Sequence, residues 1–123
     1  MSHISKIELE VTDLDSLGKA CRHMGLSLVR GKRTFKWFYG DGDCEHCIQI
    51  PDARYEIGII QKEGKYELQT DYWDKEIETA IGKNGGLLKQ RYAVERSKTE
   101  AFRKGYRVIE KQTDNGIRLH VRM

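Results

Sequence analysis

The sequence predicts an α+β fold, an antiparallel sheet of about five to seven strands with one short and one long helix packed on one face. Three observations carry that expectation. Both ends of the chain alternate apolar and charged residues with period two. Glycine-containing turns at residues 62–65 and 114–116 join runs of strand character. Two further stretches repeat their apolar residues at helical spacing.

Taken in order, residues 3–11 set Ile7, Leu9 and Val11 against Lys6, Glu8 and Glu10, a half-buried strand. His3 falls on the inward row and reads as a hydrogen-bonded core histidine. Thr12 and Asp15 approximate a capping box. Leu14, Leu17, Cys21 and Met24 then recur at helical spacing until Gly25 ends the helix. Residues 26–29 read as a second strand. Residues 31–40 gather Lys32, Arg33 and Lys36 with Phe35, Trp37, Phe38 and Tyr39 between two glycines. Read as a strand, this segment puts Phe35, Trp37 and Tyr39 on one face and Lys36 and Phe38 on the other. Taken alone, it is favoured as a core-facing aromatic strand with a solvated charged face, the other reading being a surface for flat rings and phosphates.

Residues 40–43, Gly-Asp-Gly-Asp, are a turn by composition. Residues 47–50 form a short strand stopped by Pro51, and residues 55–60 and 66–70 form a hairpin about a Lys-Glu-Gly-Lys loop. A turn or two of helix fits residues 75–82. The longest helix spans roughly residues 87–104, with Gly105 as its stop. Residues 106–109 read as a strand. After the Asp114-Asn115-Gly116 turn, Ile117, Leu119 and Val121 face inward and Arg118, His120 and Arg122 outward. Strand, helix, glycine and strand at both ends hint at an internal repeat.

The 123 residues suffice for one domain with a single core and no disulfide or metal support. A charged fraction of 33% describes a polar surface, and a net charge of +3 favours anionic partners without demanding them. No apolar run is long enough to span a bilayer, and the N-terminus lacks a signal-peptide core, so a cytoplasmic protein is expected. Three cysteines fit reduced thiols.

In the long helix, Leu87, Leu88, Tyr92, Val94, Ala101 and Phe102 define an apolar side, into which Arg91, Glu95 and Lys98 also project. Buried charges need partners. One reading pairs Arg91 with Glu95 at i, i+4 and lets Lys98 reach water. The other makes Arg91 the anion contact of a pocket or subunit interface. Cys44, His46 and Cys47 have the spacing of half a tetrahedral zinc site, but the second half is missing, and loop thiols without function are the favoured reading. Phosphate loops, dinucleotide fingerprints and nucleophile elbows are absent from the sequence, and its carboxylates are scattered. No reaction or cofactor is indicated. The basic row of Arg118, His120 and Arg122 suits either edge protection or phosphate contact.

Met1-Ser2-His3 with Ser5 and Ile7, Tyr55-Glu56-Ile57-Gly58, Tyr66-Glu67-Leu68, Gln90-Arg91-Tyr92-Ala93, Gly105-Tyr106 with Val108, and Asn115-Gly116-Ile117-Arg118-Leu119 carry a resemblance. From first residue to last, the chain resembles the small uncharacterised proteins of a conserved hypothetical frame in red-algal chloroplast and cyanobacterial genomes, with phage relatives. The resemblance implies a compact α+β domain of unknown function and brings no catalytic residues. Arg91 matches its Gln-Arg-Tyr-Ala pattern. The chain departs from that pattern at residues 43–47 and lacks the tryptophan that often follows the last arginine.

The leading expectation is a non-catalytic binding protein for a small phosphate-bearing ligand, a nucleotide or cyclic dinucleotide. With phage relatives, a viral sponge for a host signalling nucleotide is one version. Phe35, Trp37 or Tyr39 would stack a base, while Arg33, Lys36 and Arg91 neutralise phosphate. Lys32, Glu95, Lys98, Arg118 and Arg122 are secondary candidates. The pocket is expected between subunits of a homo-oligomer. A protein-interaction module, as accessory subunit of a larger ATPase or transcription assembly, is the alternative. A single-stranded nucleic-acid binder ranks third, because the net charge is modest.

Overall fold

The computed structural model describes residues 4–72 and 74–122. The expectation for His3 lies outside the described residues, as does the side chain of Glu8. The main sheet has five antiparallel strands: β1 (Ser5–Val11), β2 (Ser27–Arg30), β5 (His46–Gln49), β6 (Ile57–Lys62) and β7 (Lys65–Thr70). Their order is β1-β7-β6-β5-β2. The β6–β7 hairpin turns through Glu63 (φ 50°) and Gly64 (φ 78°), so two left-handed residues match the twist of the flanking strands. Three helices, α1 (Leu14–His23), α2 (Lys75–Ile81) and α3 (Gly86–Arg103), complete the helical layer.

Alternation along the strands decides what each face holds. Ile48, Ile57, Ile59 and Leu68 join Leu17, Ala20 and Cys21 of α1, Ile77 and Ile81 of α2, and Leu88 and Tyr92 of α3 in one core. The residues between them point the other way. There Cys47 packs with Phe35 and Cys44, bordered by Ile60 and Trp37. This second cluster seats a small hairpin, β3 (Thr34–Trp37) with β4 (Gly40–Asp43), on the face away from the helices. A last hairpin, β8 (Arg107–Thr113) with β9 (Gly116–Arg122), stands apart from the sheet as its own two-stranded ribbon beside α3.

The expected α+β architecture, with its helices on one sheet face, is the one observed. Five details differ. The first helix is capped by Asp13, whose carboxylate accepts from Asp15 N and Ser16 N, rather than by Thr12. Residues 40–43 are strand rather than turn, because each pairs with a residue of β3. That moves the reversal to Phe38 and Tyr39, so Tyr39 no longer shares a strand face with Phe35 and Trp37. The terminal strands do not repeat the opening unit, since β8 and β9 pair only with each other. Val121, expected inward, is exposed.

Candidate functional site

Phe35 is 1% exposed. Its ring lies where Gly58 and Gly42 have no side chain: a Cβ on Gly58 would come within 2.3 Å of it, and one on Gly42 within 2.7 Å. It is therefore a core residue, not a stacking surface. Trp37 is half-buried, and Tyr39, at 65% exposed, sits at the hairpin tip with its ring edge-on to Trp37 (5.3 Å) and Phe38 (4.9 Å). The cations nearby divide. Lys32 donates to Thr34 O (2.7 Å) and to Glu56 Oε1 (3.1 Å). Glu56 also accepts from Lys36 N (2.9 Å) and Gln49 Nε2 (2.9 Å). Burial alone would raise the Glu56 carboxyl, but these donors outweigh it and hold it below the usual range. Glu56 thus already occupies the anion position in this segment. Arg33 and the side chain of Lys36 stay in solvent.

Cys44, in the connection between β4 and β5, and Cys47, on β5 rather than in a loop, are both buried. Cys44 Sγ donates to Lys32 O, and burial pushes the Cys47 thiol up to about 12. His46 accepts from Gly31 N through Nδ1 (2.9 Å). Among the described residues, no three His, Cys, Asp or Glu side chains cluster as a metal site would require. The half-site reading of Cys44, His46 and Cys47 finds no second half.

Arg91 belongs to the helical face and cannot join the aromatic segment. It is 4% exposed and grips Glu110 of β8 with both terminal nitrogens (2.6 and 2.9 Å). Arginine can only donate, so His23 Nε2, 3.1 Å away, accepts from it. Glu95 stands 3.6 Å off, and Lys98 reaches Glu110 at 2.5 Å. The two cations on the apolar side of the helix are thus held by a carboxylate from the ribbon, while Glu95 faces both of them, Arg91 at 3.6 Å and Lys98 at 4.0 Å. Hydrogen bonds from Arg91, then Lys98, hold Glu110 down at about 2. Arg91 is an anchor for the ribbon, not a free anion contact.

The anchored ribbon borders a broad concavity. Between the C-terminal half of α3, the turn after it and β8 lies an open groove of about 910 Å³. Five cations line it: Lys19, Lys98, Arg103, Arg107 and Arg122. Among the described residues, no carboxylate does. Arg103 is drawn to Glu100 (3.3 Å) and Lys98 to Glu110, whereas Lys19, Arg107 and Arg122 have no ion-pair partner among the described residues. Phe102, 81% exposed, and half-buried Tyr106 add ring surface. Of these residues, only Lys98 and Arg122 are secondary candidates from the sequence, and Arg118 lies beyond the groove on the same ribbon. Lys19, Arg103 and Arg107 were missed. A usable signal existed: the two-residue turn at Asp114 and Asn115 fixes Arg107 opposite Arg122.

Comparison with known proteins adds family, not activity. The family model described as "Protein of unknown function (DUF1257)" matches residues 20–120. The chain is 27% identical over 127 residues to "Uncharacterized protein ycf35" of Cyanophora paradoxa, covering 98% of this chain and 96% of that protein. No solved structure matches the chain. The resemblance seen in the sequence motifs is therefore one of membership: this chain belongs to the DUF1257 family.

Proposed function

We propose that this protein is a non-catalytic binder of a phosphate-bearing ligand, held in the groove between α3 and the β8–β9 ribbon. The observation that carries the reading is the groove lining, five cations beside two aromatic rings and, among the described residues, no carboxylate. Phosphate oxygens would replace water around Lys19, Arg107 and Arg122, and a nucleobase would lie against Phe102 or Tyr106. The aromatic hairpin is the weaker place for such a ligand, with Phe35 sealed and Glu56 already holding its nearest lysine.

The test is thermal unfolding with ADP, a cyclic dinucleotide and inorganic pyrophosphate as probes. A ligand at about 100 times its dissociation constant adds ~2.7 kcal/mol of stability. The expected result is a raised Tm with at least one nucleotide, lost in the Arg107→Gln/Arg122→Gln double variant and kept in Trp37→Ala. A flat Tm across all three probes overturns the proposal. So does a shift that Trp37→Ala abolishes and the arginine variant leaves intact.

A further inference from the structure

Beyond the groove's own cations, the ribbon carries a second rank of charge, Lys111 with Arg118, that a small ligand in the groove would not reach. Along its outer face run Arg107, Ile109 and Lys111 on β8 and Arg118, His120 and Arg122 on β9, all exposed. The register places Arg107 directly opposite Arg122 and Lys111 directly opposite Arg118, with Ile109 opposite His120 between them. Like charges facing one another across an antiparallel pair destabilise it. Protection of an edge does not call for this, since a lysine facing a glutamate would guard the edge and hold the pair together. The two cation pairs lie four residues apart along each strand, about 13 Å at roughly 3.3 Å per residue. The carboxylate on the ribbon's inner face, Glu110, is consumed by Arg91 and Lys98, and Asp114 sits at the turn.

Charge is also segregated in the chain as a whole. Residues 103–122 hold six Lys and Arg against two Asp and Glu, net +4, so the remainder of a chain of net +3 comes to −1. A modest total hides a concentrated basic element.

We propose that the groove and the outer ribbon face form one binding surface for single-stranded nucleic acid, a step that rests on the phosphate-binding reading of the groove and names its ligand. Two ranks of cations some 13 Å apart are too far separated for one mononucleotide, and a strand several nucleotides long spans them. The exposed rings favour an unpaired strand over a duplex. Phe102 at the groove and His120 between the ranks offer faces on which splayed bases stack, and the bases of a duplex are already stacked on each other.

The experiment is fluorescence anisotropy with labelled oligothymidylate and oligouridylate from about four to about sixteen nucleotides, with ADP binding measured in parallel. Affinity rises with length and falls with salt, and comparison of the two oligomers shows whether DNA or RNA is preferred. Lys111→Gln/Arg118→Gln lies outside the groove lining. It weakens the long oligomer at least tenfold, lowers its salt slope by about 1.4 (two contacts at ~0.7 each) and leaves ADP binding unchanged. Arg107→Gln/Arg122→Gln weakens both ligands. Should Lys111→Gln/Arg118→Gln bind the long oligomer as wild type does, the inference falls while the groove reading stands. Should the Arg107 and Arg122 variant also bind both ligands normally, both fall. Equal or tighter binding to duplex of the same length, or to phosphatidylserine vesicles, overturns the assignment to single strands. Urea midpoints that stay or rise certify that the neutral variants keep the fold, as removal of facing like charges leads one to expect.

Discussion

Glu110 is the residue on which the C-terminal third of the chain turns. Its carboxylate takes both terminal nitrogens of Arg91 and the amine of Lys98, so removing it leaves a guanidinium buried beneath α3 with only Glu95 and His23 nearby. Glu110→Ala is expected to cost about 3 kcal/mol, read as a shift of the urea midpoint, because an uncompensated buried charge is costlier than the pair is stabilising. Leu119→Ala, on the same inner face of the ribbon, serves as the comparison for lost packing alone. The pH dependence follows from the same contacts. The folded-state value near 2 lies below the ordinary 4.5, so the stabilisation is complete above about pH 4.5 and drains away as pH falls toward 2. Glu110→Gln, neutral throughout, is expected to be less stable at pH 7 and to show a shallower acid limb over that window. Equal slopes in the two proteins would remove Glu110 as the cause. The sequence exposed half of this arrangement: helical projection flagged Arg91, Glu95 and Lys98 as misplaced charges, but the main partner of the two cations is twelve and nineteen residues away on a strand, and spacing along a helix cannot reveal it.

At the scale of elements, the β3–β4 hairpin shows how pairing overrides composition. Gly-Asp-Gly-Asp has poor strand propensity, yet Thr34–Trp37 supplies it with a partner, and the Lys36–Asp41 pair sets opposite charges across the ladder. Phe35 then docks over Gly58 and Gly42, a contact that only the three-dimensional pairing creates. Gly58→Ala is expected to destabilise by about 1–3 kcal/mol through overpacking, and by much less in a Phe35→Ala background. Urea titrations of the four proteins in that cycle measure the coupling, and strictly additive costs would contradict the docking. The thiols give an independent reading of the same layer. Cys21, Cys44 and Cys47 are all buried, and burial pushes Cys21 and Cys47 up to about 12. All three should resist Ellman's reagent in the folded protein at pH 8 and react at once in denaturant. Fast reaction of two native thiols would contradict that burial.

Across the whole molecule, the fold divides labour between the two faces of its sheet. One face builds the apolar core with three helices, and the other carries a small aromatic hairpin sealed by Phe35. The fold class, most strands and the helix ends were legible because periodicity and glycine turns are local signals. The candidate site was not. Aromatic and basic residues adjacent in sequence proved to be partly core, while the cations that share a groove come from α1, α3, β8 and β9. Net charge concealed the same fact, since a nearly balanced body offsets a strongly basic ribbon.

The most direct measurement is the salt dependence of binding between the full chain and a labelled oligonucleotide of about sixteen bases. Lys19 and the four ribbon cations, each releasing a condensed counterion, predict a log–log slope of roughly −3.5 for single strands. That slope should shrink by about 1.4 when Arg107 and Arg122 become glutamine, and should be unmoved by Trp37→Ala. A slope near zero, or one that Trp37→Ala removes and the arginine variant does not, would contradict a phosphate-binding surface on the ribbon side of α3.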